Sequence, residues 1–289
     1  MTGSTRVVPH AFNEGIARID IDRIEGEIEE DTQRIFSGEL DSNLPLIFNS
    51  IAQQTAELAC LKYLFADLPV NEVLDLYSKS SQAIANMFRL LGPDGSKVII
   101  EWDGKQRSLP AQTHMDMQNA IRIPFGIKTA IISHRNKELD FLCSLEEEKY
   151  THPSIISNKF ALEYVKFLQQ LAINNTSGLE ERAEFLRDNM AQAYAKKVPD
   201  NDFHKAVCSG YLSLLEGSAA KIETRVNELL EKHKRLFDSD RNNMRGSILG
   251  LVSIDGMALL ILASQRGIKT EIDNPYIPSD LLNAAIHLK

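Results

Sequence analysis

Cysteine is scarce. Cys60, Cys143 and Cys208 are the only three in 289 residues, an odd number with no repeating interval. Such a set builds no disulfide framework and suits a reducing cytoplasm, which is the expected location. Glycine (15) and proline (10) are thin for the length, which argues against an all-β chain full of turns and for long helices with short joints. Positive charge is short as well: 32 Lys and Arg face 40 Asp and Glu, for a net charge of −8. Phosphate backbones are held by clustered Lys and Arg, so direct nucleic-acid binding is not expected. The opening MTGSTRVVPHAFNEG has no apolar core for a secretory leader. One run, SILGLVSIDGMALLILA at Ser247–Ala263, is apolar throughout but short for a membrane span, with Asp255 near its middle. A buried core helix is the expectation, and no membrane.

What is present is helical periodicity. In Leu44–Phe65, Ile47, Ile51, Leu58, Leu61 and Phe65 share a face, with Asp41, Ser42 and Asn43 as candidate caps and Pro45 in the first turn. Ser154–Ile173 repeats Ile156, Phe160, Tyr164, Phe167, Leu168 and Leu171 at steps of three and four, with Ser154 as a candidate cap. Similar patterns cover Asn71–Leu91, Glu180–Lys196, Phe203–Glu216 and Ala219–Phe237. The breaks between them are short, as in antiparallel bundles. One segment differs: in KVIIEWDGKQRSL, Lys97–Leu109, β-branched residues precede an Asp103-Gly104 turn. This predicts a small hairpin whose Ile100 and Trp102 dock on the helices. The fold class is therefore all-α, an irregular multi-helix array with one inserted hairpin near 97–109. A single domain over 1–289 is expected, with a possible subdivision near 150. No fixed period supports a solenoid.

Motifs for chemistry are wanting. Gly92–Lys97 (GPDGSK) lacks the spacing and preceding strand of a phosphate loop and reads as a helix end. His204 and Cys208 stand four apart on a predicted helix, but two ligands make no metal site. Asp255 is a buried acid that needs a partner, better sought on another helix than in Arg245 or Arg266. No catalytic residue, cofactor or metal is expected, and no enzyme.

The informative charge is at the front. Between Phe12 and Ser42 ten acids meet three bases, Arg18, Arg23 and Arg34, so this stretch holds −7 of the net −8. Ile16, Ile19, Ile24, Ile28 and Ile35 suggest a helix with one docked face. Asp22, Glu25, Glu29, Glu30 and Asp31 are the candidate contacts for a basic protein partner, since such a surface speeds association.

The C-terminal stretch Ile254–Leu282 carries a resemblance. A long apolar helix leads into Ala263-Ser264-Gln265-Arg266-Gly267-Ile268, followed by Tyr276-Ile277-Pro278 and Leu281-Leu282. In these features it resembles the C-terminal region of the immunity protein 49 family, immunity proteins of bacterial polymorphic-toxin systems. The resemblance implies an all-α cytoplasmic protein that binds and neutralises a cognate toxin, with no catalytic residues. A basic toxin domain, of a kind that targets nucleic acid, fits the acidic helix. The physical expectation for the stretch is a lid: Gly267 ends a helix, Ile268–Ile272 runs extended, Tyr276 and Ile277 pin a turn, and Ser279 caps a last helix over Asp280–His287. The alternative function is a helical-repeat scaffold of tetratricopeptide type; a helical enzyme using acids such as Asp255 and Asp116 is a third.

Overall fold

The strongest periodic stretches fold as the helices they predict. The computed structural model describes residues 14–38, 43–93, 95–113, 117, 119–151, 158–196, 198–238 and 247–288. Its helices are α1 (Glu14–Ser37), α2 (Leu44–Phe65), α3 (Val70–Leu90), α4 (Arg122–Ile132), α5 (Asn136–Cys143), α6 (Lys159–Ala172), α7 (Leu179–Ala193), α8 (Pro199–Ser213), α9 (Ala219–Asp238), α10 (Ile254–Gln265) and α11 (Ser279–His287). Asp41 and Ser42 lie outside the described residues, and Asn43 precedes α2 without a side-chain capping bond. The helix lengths run from 8 to 24 residues, which is not the regularity of a repeat array.

Strands β1 (Lys97–Trp102) and β2 (Lys105–Pro110) form the expected antiparallel hairpin, with Trp102 opposite Lys105. Asp103 (φ 50°) and Gly104 (φ 72°) both sit in the left-handed region that a two-residue turn requires. Ile100 and Trp102 are buried. The Trp102 ring meets Phe48 edge-on at 5.6 Å, and its Nε1 donates to Thr32 Oγ1 at 3.0 Å. The hairpin is thus held by α1 and α2 together.

One continuous set of buried residues runs from Ala17 to Ala285. α2 packs along α3, α1 covers α2, and α4 joins α3 to α5. Helices α6 and α7 pair, as do α8 and α9. Helix α10 contacts α4, α8, α9 and α11, and α11 returns to α3. Nine of the twelve α10 residues are buried, as expected of a helix apolar all round. Ile248–Gln265 is long and apolar enough to cross a membrane by composition, yet 72% of it is buried inside the protein.

Three boundaries differ from expectation, each for a local reason. The apolar run from Ser247 is not one helix: Ile248–Gly250 forms a single tight turn, and Ser253 Oγ accepts from Gly256 N at 3.2 Å to start α10. Helix α6 starts at Lys159, because Asn158 Oδ1 accepts from Phe160 N at 3.0 Å; Ser154 and Ile156 lie outside the described residues. Ser279 is the first residue of α11, and Pro278 takes the cap position. Helices α4 and α5 carried no clear signal. RIPFGIKTAII is isoleucine-rich and interrupted by Pro124 and Gly126, so local preference does not mark it as helix.

The C-terminal lid folds as expected. Gly267 has φ +73°, and Ile268 N donates back to Ala263 O at 3.0 Å. Ile277 N donates to Asn274 O at 2.9 Å, and Ser253 N donates to Tyr276 O at 2.9 Å. The turn therefore closes over the first turn of α10.

Gly126 sits where α4 crosses α3: a Cβ there would stand 2.6 Å from Ile84 Cγ2 and 2.9 Å from Leu142 Cδ1. Gly126→Ala should lower stability by about 1–3 kcal/mol through overpacking, against the roughly 1 kcal/mol that alanine gains in a helix. Gly26→Ala in α1, where nothing lies within 4 Å, should stabilise by up to about 1 kcal/mol. Urea unfolding of the two variants checks the pair.

Candidate partner-binding surface

Helix α1 docks through a heptad-like set: Ala17, Ile21, Ile24 and Ile35 are buried and Ile28 partly so. Ile16 and Ile19, expected on that face, are 51% and 68% exposed. The helical period explains the difference, because Ala17, not its neighbour Ile16, continues the series of Ile21, Ile24 and Ile28.

The five acidic candidates do not form one patch. At about 100° per residue, Asp22, Glu25 and Glu29 fall within about 60° of one another, Glu30 lies further round, and Asp31 returns toward the docked face. Asp22, Glu25, Glu29 and Glu30 are exposed and Asp31 is partly buried. Glu25 pairs with Lys62 of α2. Glu29 accepts from Gln33 Nε2 at 3.2 Å. Arg34 reaches Glu30 at 3.5 Å and Asp31 at 3.9 Å, while Arg23 is taken by Asp20 at 3.1 Å and Glu27 at 2.8 Å. Two of the helix's three arginines are therefore turned inward upon its own acids. The helix still carries eight acids against three bases, a net −5; Glu39 and Asp41 lie outside the described residues.

Two carboxyls at this helix are raised by burial, and neighbouring acids add to the effect. Burial pushes the Asp31 carboxyl up from its ordinary value; Arg34 opposes this, and Glu30 and Glu27 add to it. Glu57 on α2, under the same helix, is raised by burial, with Arg23 opposing and Asp20 and Glu27 reinforcing.

Glu25 and Glu29 also line a cleft of about 670 Å³ between α1, α2, α3 and the hairpin tip. Lys79, Lys105 and Asp103 line its other side, with Lys79 3.3 Å from Asp103. The cleft carries both signs of charge. Asp22, Glu30 and Asp31 do not line it; Asp22 and Glu30 belong to the outer ridge.

A second concavity, of about 390 Å³, opens among α4, α6, α8, α9 and α10. It was not legible in the sequence, because Phe125, Phe160, Phe203 and Phe237 come from four helices far apart in the chain. Asp255 stands at its wall and is paired with Lys128 of α4, the cross-helix partner that its burial calls for. Lys128 also lies 5.6 Å from the Tyr211 ring centre, and Tyr211 Oη donates to Asp255 O at 3.2 Å. Arg266, the alternative partner, donates instead to Leu171 O at 2.6 Å; Arg245 lies outside the described residues, as does Asp116. His204 is exposed and 3.4 Å from Asp200, whereas Cys208 is buried and its thiol is pushed up to about 12 by burial. Among the described residues no cluster of three or more His, Cys, Asp or Glu could hold a metal ion.

The fold is thus helical apart from one hairpin, with acids on the outer side of α1. The chain matches the family model described as immunity protein 49 over residues 71–281. That span is most of its length, and the chain belongs to this family. No curated protein and no solved structure matches it. Helices α1 and α2 both lie before the matched span.

Two sets of variants probe the electrostatics. Removing one member of this largely buried pair, Lys128→Met or Asp255→Leu, should cost about 2–3 kcal/mol, while the double variant recovers most of it; thermal and urea unfolding of the three chains decides this. At Glu57 the folded-state pKa is raised, so its penalty is complete above that pKa and absent below the ordinary carboxyl value. Glu57→Gln should then be more stable than the parent at neutral pH and lose that advantage as the pH falls below the ordinary value, read from unfolding curves across pH.

Proposed function

We propose that the protein neutralises a cognate toxin of its own cell by binding it stoichiometrically in the cytoplasm and covering its active site. Membership of the immunity protein 49 family supports the class of function. The observation that carries the contact is the acidic ridge of α1, whose outer acids Asp22 and Glu30 are exposed while Arg23 and Arg34 are engaged within the helix. Asp22, Glu25, Glu29, Glu30 and Asp31 supply the negative field. A basic toxin domain, such as one that itself grips nucleic acid, is the complementary partner. The chain then acts by occupancy and not by catalysis.

Two physical demands follow. A toxin must be silenced at low concentration, so the complex must hold in the nanomolar range, about −12 kcal/mol. It must also form before damage accumulates, and opposite fields raise association rates by roughly 10- to 1,000-fold.

The test uses the toxin domain encoded beside this chain. The pair should co-purify, and the immunity protein should abolish the toxin's activity at an equimolar ratio. Glu29→Lys with Glu30→Lys should slow association about tenfold at low salt, with the difference closing at high salt. An unchanged rate at low salt removes the ridge from the contact, and failure to form any complex removes the neutralisation reading itself.

A further inference from the structure

The groove at Asp255 takes no part in the toxin contact proposed for α1, and its chemistry is particular. Its volume of about 390 Å³ lies in the range of small-molecule sites, roughly 300–1,000 Å³. The walls are rings: Phe125 from α4, Phe160 from α6, Tyr194 at the end of α7, Phe203 from α8 and Phe237 from α9. Phe160 and Tyr194 meet edge-on at 5.3 Å, an arrangement that leaves ring faces and edges available to a further ring.

The polar groups at this wall are unbalanced. The Lys128 ammonium has three protons, and Asp255 is its only hydrogen-bond acceptor among the described residues. The Tyr164 hydroxyl, in the same wall, is buried with no hydrogen-bond partner. Burial first, then Tyr211 and Asp255, push its pKa well above the ordinary value, so it stays protonated. Two protons of Lys128 therefore remain for an acceptor on a ligand. The charges, in contrast, cancel: one ammonium faces one carboxylate. A ligand bringing its own charge into this half-enclosed site would leave that charge without a counterpart.

We propose that this groove is a binding site for a small neutral aromatic molecule with a carbonyl-type acceptor oxygen, its ring among the phenylalanines and its oxygen at Lys128. Acetophenone, ethylbenzene and benzoate are the probes: the same ring with a neutral acceptor, without one, and with a charged one. The readout is titration of the full chain, followed by NMR at the methyl groups of Val165, Val207 and Ile254. Acetophenone should bind saturably, and ethylbenzene and benzoate about tenfold more weakly. Ala161→Trp, which fills the groove from α6, should abolish binding of all three. In the Lys128→Met/Asp255→Leu chain, which keeps the core filled, acetophenone and ethylbenzene should become equal. The proposal is overturned by the absence of saturable shifts at these methyls, by undiminished binding in folded Ala161→Trp, or by benzoate binding more tightly than acetophenone. If Ala161→Trp does not fold, persistence of the acetophenone preference in the double variant overturns it instead. These outcomes are independent of toxin capture, which is read at α1.

Discussion

A helix that is apolar on every side can exist in water only when it is enclosed, and α10 imposes that requirement on the rest of the chain. Four helices, α4, α8, α9 and α11, surround it. Its first turn is sealed by the C-terminal lid, where Tyr276 and Ile277 are buried and Tyr276 O accepts from Ser253 N. Each of these covers apolar area worth about 25 cal/mol per Å². The packing is close enough that Gly256 has no room for a side chain: a Cβ would stand 2.8 Å from Ile277 Cδ1. Asp255, the acid that this enclosure makes costly, is tolerated because Lys128 arrives from α4. The pair ties α4 to α10, elements far apart in the chain.

Charge is distributed by the opposite logic. Helices beyond α1 pair many of their charges locally, as with Arg182 and Glu163 or Arg135 with Glu138 at 3.0 Å. Helix α1 retains an uncompensated excess, and its acids add to the burial that raises the carboxyls of Asp31 and of Glu57 on α2. A surface that only needed to stay soluble could have mixed its signs. Concentrating acids on one helix while the neighbouring helices balance theirs produces a directional field, which is useful for orienting a partner as it approaches.

The sequence made the long helices and the hairpin legible because each announces itself locally: a sustained 3.6-residue period in α2, α3 and α9, and Asp-Gly after a run of β-branched residues in the hairpin. It failed where tertiary contact decides. Helix α4 is written in residues that favour strand and is held by α3, with Gly126 giving the clearance. Ile16 and Ile19 looked like core residues until the heptad set by Ala17, Ile21 and Ile24 turned them outward. The acidic residues were legible as a charge excess, but their division between an outer ridge and a two-signed cleft depends on where Lys79 and Lys105 come to rest. The aromatic groove left no linear signal, since its walls are assembled from five helices. The final lid was readable from both sides, through Gly267 and the two Pro-preceded turns.

The exposed isoleucines bear on how a ridge of this kind can hold a partner and not merely attract one. Solvent-exposed ion pairs contribute about 0–1 kcal/mol each, so five carboxylates alone fall well short of a nanomolar complex. Affinity comes from buried apolar and aromatic contacts surrounded by a polar rim. Ile19, 68% exposed, projects from the outer side of α1 between the directions of Asp22 and Glu30, and Ile16 lies one turn-edge away at 51% exposure. In the proposed complex the acids set the rate and the orientation of encounter, and burial of these two side chains begins the apolar contact that slows release. The same helix thereby supplies both halves of recognition, while its inner face remains committed to the core through Ile24 and Ile35.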